Sequence, residues 1–417
     1  MNLGSMNRGI FRNGGILGDN AQSNPTWSYA GRTKIYDVRS VKALEAQNLT
    51  GKFLVGNYLT ANNDPTEEIG PKLVNHADGV VDWTADSTNI DTVLTGTGGG
   101  FAVEDDGLSA WVHWGAEDGG FATAGREILQ QIRISDGVTL QTFANADSAL
   151  GAAERAVIYN GDLDEVAHLV TDSADEIWIV DAATATTAFG GGNDGTISTA
   201  ASLGKTTGNN WLVGAGSNGH VSFWDWTSTI TTNPEFTIDL QLTAADPQWG
   251  GNTINAGGFD RGISPTDTPP RITPDRTNDD QCFISVGRDT TNYTPAIYKL
   301  DVAAGNLVAA DTVIAERDLT GDVSFGGNIQ LVDHAVDNLG RVFCLVQNTV
   351  FDTEILVLSN DLSAVLFKFD EDLGLTLPQS GGTAVAATCI CVDEVGNVTI
   401  GDEDAVAGGN VWRYPFS

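Results

Sequence analysis

This chain is poor in positive charge. Against 55 aspartates and glutamates stand 21 lysines and arginines, of which seven are lysine (Lys34, Lys42, Lys52, Lys72, Lys205, Lys299 and Lys368), and the net charge is −34. Such a surface repels phosphate backbones, which excludes sequence-independent nucleic-acid binding. It disfavours contact with an anionic membrane surface for the same reason. Apolar runs are short as well: nowhere do about 18 apolar residues follow one another, so no membrane-spanning helix is expected. Residues 1–10 lack the apolar centre of a signal peptide. The five histidines, His76, His113, His168, His220 and His334, show no zinc-type spacing and read as ordinary strand or turn residues. The four cysteines, Cys282, Cys344, Cys389 and Cys391, lie in apolar strand-like runs and are expected to be buried thiols. Cys389 and Cys391 fall on one face of a strand, poorly placed for a mutual disulfide.

What the chain has in quantity is turns and repetition. Its 49 glycines against 12 prolines and two methionines suit many tight turns between short strands, and 41 % hydrophobic residues is ample for a core. The stretch 218–226, ending Val221-Ser222-Phe223-Trp224-Asp225, is a polar turn running into a strand that ends in an aromatic and an acid. Similar pieces stand at 174–181, 295–301 and 32–37, with looser copies at 127–129, 354–358 and 410–414. A second element recurs in 101–111, 334–343 and 391–400: an apolar residue, valine, an acid, a short turn with glycine, then a new strand. Glycine supplies the positive φ of a tight hairpin, and the acid can accept the turn's N–H groups. The second element is expected to form the first two strands of a repeat and the first element the third strand.

Strand motifs at intervals of roughly 45 to 60 residues predict an all-β chain folded as a single β-propeller of four-stranded antiparallel sheets, seven blades with eight as the alternative. The hairpins resemble those of NHL-type and quinoprotein-type propellers. The strand ending Phe223-Trp224-Asp225 resembles the third strand of a WD-repeat, although Gly219-His220 directly precedes it, so that family's structural hydrogen-bond network is not implied. The resemblance covers most of residues 27–417 and implies architecture without functional residues.

Residues 1–25 read as an N-terminal arm, flexible or docked on a partner, and 26–417 as the propeller. The last strand motif ends the chain, so the 26–50 region is expected to pair with the C-terminal blade and leave no long exposed edge. Half of the prolines fall within 232–280, which reads as a projecting loop insertion. Its Trp249, Arg271 and Asp275 are the candidate binding residues.

Catalytic motifs are lacking. Paired acids such as Asp105-Asp106, Asp370-Glu371-Asp372 and Asp402-Glu403-Asp404 read as solvated turns, and a glycosidase needs a carboxylate separation that sequence does not supply. No cofactor is expected. Hard oxygen ligands favour calcium as an ion, but Asp162-Leu163-Asp164 and Asp402-Glu403-Asp404 are only fragments of a calcium loop. Gly98–Gly100 and Gly190–Gly192 lack the Lys-Ser/Thr of a phosphate loop. Trp111, Trp114, Trp224, Trp226 and Trp249 read either as a sugar-stacking platform or as blade packing.

These features together lead to a non-enzymatic structural or recognition propeller in an extracellular assembly. Its most concrete form is a virion tail or capsid-attached spike of a virus with a salt-adapted host. Partners would be proteins of a larger particle or identical subunits, with a host-surface glycan or protein as the recognised ligand. The competing readings are a propeller enzyme, either a polysaccharide hydrolase or lyase or a quinoprotein-like oxidoreductase, and an intracellular scaffold in the cytoplasm.

Self-repulsion among so many carboxylates is relieved when salt shortens the screening length. The thermal unfolding midpoint is therefore expected to rise from low to multi-molar KCl; a midpoint indifferent to salt contradicts the salt-adapted reading.

Overall fold

A computed structural model describes residues 27–34, 40–58, 71–85, 98–104, 106–115, 127–145, 272–278, 281–286, 295–301, 313–369, 375–378, 385–404 and 409–417. It also describes the strand backbone at 157–160, 165–170, 176–181, 186–187, 196–198, 210–215, 220–226, 236–241 and 248–252. Among these residues every regular element is a β-strand, and the strands form seven antiparallel sheets. Sheet 1 comprises Ser40–Glu45, Lys52–Tyr58, Lys72–Asn75 and Val81–Thr84, and sheet 2 comprises Gly98–Val103, Ser109–Gly115, Glu127–Arg133 and Thr139–Asn145. Sheet 3 holds Val157–Asn160, Glu165–Val170, Glu176–Asp181 and the short Thr186–Thr187, with Thr196–Ser198 also on its third strand. Sheet 4 holds Asn210–Ala215, His220–Trp226, Phe236–Gln241 and Gln248–Asn252; sheet 5 holds Ile272–Pro274, Gln281–Val286, Ala296–Asp301 and Val313–Asp318. Sheet 6 is Ile329–Val336, Val342–Asn348, Thr353–Leu358 and Val365–Phe369. Sheet 7 takes Val385–Val392, Val398–Asp404 and Asn410–Tyr414 from the end of the chain and its outer strand, Gly31–Lys34, from the beginning.

Each first strand lies beside the first strand of the next sheet, and Val385–Val392 lies beside Ser40–Glu45. Bulges in these inner strands carry direct links between sheets. At the Leu331/Asp333 shift Asp333 Oδ2 accepts the Ile390 N–H of sheet 7 at 2.9 Å, and at the Ala387/Cys389 shift Thr388 Oγ1 donates to Val41 O of sheet 1 at 2.5 Å. Apolar cores fill the spaces between sheets rather than one centre. Phe343, Ile355 and Phe369 of sheet 6 pack with Ile390, Ile400 and Trp412 of sheet 7; Phe53 and Val55 of sheet 1 pack with Cys389, Cys391 and Val411 of sheet 7. Cys344, Cys389 and Cys391 are buried, as expected, and the Cys282 side chain lies outside the described residues.

The N-terminal segment is stitched to the chain's end beyond its four-residue ladder. Ser28 N–H donates to Pro415 O at 3.1 Å and Ala30 N–H to Arg413 O at 2.9 Å. Trp27 is buried between sheets 6 and 7, its ring against Phe367, Phe369 and Phe416, while its Nε1–H donates to Gly396 O at 3.0 Å. The pairing expected for the 26–50 region is therefore realised by residues 27–34, whereas Ser40–Glu45 starts sheet 1.

Three sequence expectations change. The span 232–280 is not one irregular loop, because Phe236–Gln241 and Gln248–Asn252 finish sheet 4 and Ile272–Pro274 opens sheet 5. The alternation in Phe236-Thr237-Ile238-Asp239-Leu240 wins over the proline count; residues 253–271 lie outside the described residues. His220–Trp226 is a second strand and Arg32–Lys34 an outer one, so the aromatic-acid signature marks a strand end and not a fixed place in the sheet. The signature does mark third strands at Glu176–Asp181, Ala296–Asp301, Thr353–Leu358 and Asn410–Tyr414. Asp402 is no solvated turn. It is buried, accepting Trp412 Nε1–H at 2.6 Å and the backbone and side-chain N–H groups of Asn410 at 2.8 and 3.0 Å. The arm 1–25 lies outside the described residues.

Truncating a buried tryptophan costs about 3–5 kcal/mol, so Trp27→Ala should lower the thermal midpoint sharply. Deleting residues 1–34 should lower it further. An unchanged midpoint in the deletion would contradict a structural role for the N-terminal strand.

Candidate interaction face at the turn end of the sheets

Antiparallel strands put the turn between the first and second strands at the same end of a sheet as the turn between the third and fourth. At this end the hairpin acids are built into the framework. Asp337 Oδ1 accepts the N–H groups of Leu339 and Arg341 at 3.0 and 2.8 Å, and Asp393 Oδ1 those of Val395 and Asn397 at 3.0 and 2.8 Å. Glu45 caps its own turn through Ala46 and Gln47 at 2.9 and 2.7 Å. Glu104 instead takes Trp111 Nε1–H at 2.9 Å and Gln131 Nε2–H at 2.6 Å, which assigns Trp111 to blade packing. Gly107, Gly340 and Gly396 hold positive φ in three of these turns, as expected. At Gly107 a Cβ would sit 2.6 Å from Asn48 O, so that turn also needs glycine to lie against sheet 1.

Glu394 ties several sheets together. Its carboxylate accepts Asn48 N–H of sheet 1 at 2.7 Å and Arg276 Nη2–H of sheet 5 at 2.5 Å, and it also takes a bond from Asn338 Nδ2 of sheet 6. Its own N–H donates to Leu49 O at 2.9 Å. Next to it Asp393 Oδ2 accepts Gly51 N–H at 2.8 Å, and Asn48 Nδ2 reaches on to Val103 O of sheet 2 at 3.1 Å. Burial pushes the Glu394 carboxyl upward, but the Arg276 guanidinium and the donated bonds outweigh it and hold the group below its ordinary value.

Asp275, a candidate binding residue, is the equivalent acid of sheet 5. It is buried against Lys299 Nζ at 2.8 Å and accepts Thr277 N–H and Asn360 Nδ2–H at 2.8 and 2.9 Å, so it lines no open surface. Here too burial raises the carboxyl, and Lys299 with these donors brings it below its ordinary value. Trp249 occupies the outer strand of sheet 4 opposite Leu240, and Arg271 lies outside the described residues. Of the three, Asp275 alone has a described side chain, and it is built into the framework of sheet 5. Among the described residues no group of three or more His, Cys, Asp or Glu side chains forms a cation cage.

Five large apolar side chains of this end stand in solvent. Leu339 of sheet 6 is 68 % exposed, Val395 of sheet 7 50 %, Val80 of sheet 1 56 %, and Leu108 and Val138 of sheet 2 66 % and 45 %. Each stands two residues after an aspartate whose Oδ1 accepts its N–H: Asp337, Asp393, Asp78, Asp106 and Asp136, at 2.8 to 3.2 Å. The carboxylate fixes the turn, and the turn turns the next side chain but one outward. Sequence reasoning missed these positions, though the Asp-Gly pairs Asp78-Gly79, Asp106-Gly107 and Asp136-Gly137 are a readable hairpin signal.

A carboxyl held below its unfolded value stabilises the fold above that value, and the contribution is lost as pH falls through the folded value. Glu394→Gln should therefore lower stability at neutral pH by about 1–3 kcal/mol. The gap from the unaltered chain should close as the pH falls below about 4. Urea unfolding at several pH values checks this, and a gap unchanged in acid contradicts it.

No protein-family profile and no curated protein matches this sequence. Solved structures do. A chain in a mitotic checkpoint complex structure superposes with a TM-score of 0.55 at 10 % identity, over 94 % of both chains. The β-propeller domain of Myceliophteria thermophila Cps50 (Swd1) gives 0.54 at 8 % identity, over 93 % of this chain and 99 % of that one. The WD40 β-propeller domain of Doa1 gives 0.51 at 10 % identity, over 94 % and 97 %. At such identities the shared property is the fold: the chain is a β-propeller.

Proposed function

We propose that this chain is a non-catalytic recognition propeller that holds protein partners within a multiprotein assembly. The observation that carries the reading is the turn end of sheets 6, 7, 1 and 2. There Asp337, Asp393 and Glu394 are engaged in the framework, while Leu339, Val395, Val80, Leu108 and Val138 stand in solvent. A lone exposed apolar residue is ordinary on any surface. Five at the same turn end of four successive sheets, each following an aspartate that accepts its N–H, make an apolar arc, and exposed apolar surface of this kind marks contact with another macromolecule.

The neighbour from a mitotic checkpoint complex lends support, since the chain that superposes there belongs to a complex. A scaffold of this kind accounts for the face without the narrower virion setting, which rested on the N-terminal arm, the proline-rich span, the acidic surface and the lack of a signal peptide. Protein isolated gently from the cells that make it is expected to elute with other chains at fixed stoichiometry, well above its own 43.9 kDa. Elution as a lone 43.9 kDa chain, or as copies of itself alone, contradicts the reading.

A further inference from the structure

The scaffold reading leaves the partner's chemistry open, and the same face bears on it. Each apolar tip is built with a carboxylate two positions earlier; beneath Leu339 and Val395 that acid is buried, whereas at Val80, Leu108 and Val138 it shares the surface with the apolar side chain. Asp78, Asp106 and Asp136 are themselves exposed, and in each only Oδ1 is committed to the turn. Arg133 pairs with Asp136 at 2.8 Å through that same atom.

Several cations of this end are turned inward. Arg276 is held by Glu394, Lys299 by Asp275, and Arg341 by Asp337 at 2.7 Å while its guanidinium lies 5.5 Å from the ring centroids of both Trp27 and Phe416. Lys52 and Arg133 are half-exposed at this end, but each is paired with an acid, Asp82 at 2.7 Å and Asp136 at 2.8 Å, so that exposed Asp78 and Asp106 leave the balance of this end negative, on a chain of net charge −34. A second copy would present the same sign to the same face, and nucleic acid or an anionic lipid surface would be repelled.

We propose that the arc from sheet 6 through sheets 7 and 1 to sheet 2 takes an extended protein segment in which lysine or arginine alternates with apolar residues. This rests on the scaffold reading and deepens it. The segment's cations meet the exposed carboxylates of Asp78 and Asp106, and its apolar side chains cover Leu339, Val395, Val80, Leu108 and Val138. Charge steers the encounter, and apolar burial retains the segment once docked. The opposite end supplies an internal control. Val350, also exposed, sits in the same type of turn, on Asn348 Oδ1 at 3.0 Å, between the second and third strands of sheet 6.

The test uses the full chain and three fluorescent octapeptides, alternating Lys-Leu, Lys-Ser and Glu-Leu, read by fluorescence anisotropy at physiological salt. The Lys-Leu peptide is expected to bind best. Joint replacement Leu108→Ser, Leu339→Ser and Val395→Ser should weaken it at least about tenfold with little change in thermal midpoint, since three partly buried apolar contacts are removed. Val350→Ser should leave binding unchanged. No Lys-Leu binding, equal binding of Lys-Ser or Glu-Leu, an unaffected triple variant, or an equal loss in Val350→Ser would each overturn the proposal. If the peptide fails while the protein still elutes with partners, this inference falls and the scaffold reading stands. If the protein elutes alone, the scaffold reading falls.

Discussion

The structure depends on how its two ends meet. Sheets packed face to face leave the first and last each short of a neighbour, with apolar faces such as Phe53 and Val55 on one and Cys391 and Val411 on the other. Burying those faces against each other requires sheets 1 and 7 to be held in contact. The chain does this by giving the outer strand of sheet 7 to Gly31–Lys34, which leads directly into sheet 1. Separating the two sheets would then mean breaking an antiparallel ladder and extracting Trp27 from its aromatic cage. Non-local closure of this kind makes every sheet's stability conditional on a contact more than 370 residues apart in sequence, between Gly31 and Arg413 among others.

A single local device serves both framework and surface. An aspartate at the start of a turn takes the N–H two residues on, which is the ordinary Asx behaviour of short acids. Repeated across sheets it aligns the turns, and where the acid's second oxygen faces inward it reaches a neighbour: Asp393 to Gly51, Asp337 to Arg341. Where the second oxygen faces solvent, the acid instead flanks an exposed apolar side chain. The strongly negative composition is thus partly structural: several of its carboxylates are hydrogen-bonded turn elements and not free surface charge.

Much of the fold was legible because the hairpin element carries its reason in the residues. Val336-Asp337 with Gly340 and Val392-Asp393 with Gly396 fix a turn locally, and both were found where expected. The strand's place within its sheet was less legible. His220–Trp226 and Glu176–Asp181 share a signature yet occupy second and third positions, because that position is set by how many strands precede in the same sheet. The site was hardly legible at all. Asp275 carries the composition of a surface loop, but its partner Lys299 lies 24 residues on and Asn360 comes from another sheet. Glu394 looked like one acid among many, and only the tertiary arrangement brings Arg276, Asn338 and Asn48 to it.

The central claim is that the N-terminal strand belongs to the same cooperative unit as the inner strands. Native-state hydrogen exchange tests it at the amides of Ser28 and Ala30, bonded to Pro415 and Arg413, against that of Ile390, bonded to Asp333 in the interior. All three should open only with global unfolding and show the same free energy of exchange. Rapid exchange at Ser28 and Ala30 while Ile390 stays fully protected would mean that the N-terminal strand merely decorates sheets that hold together without it.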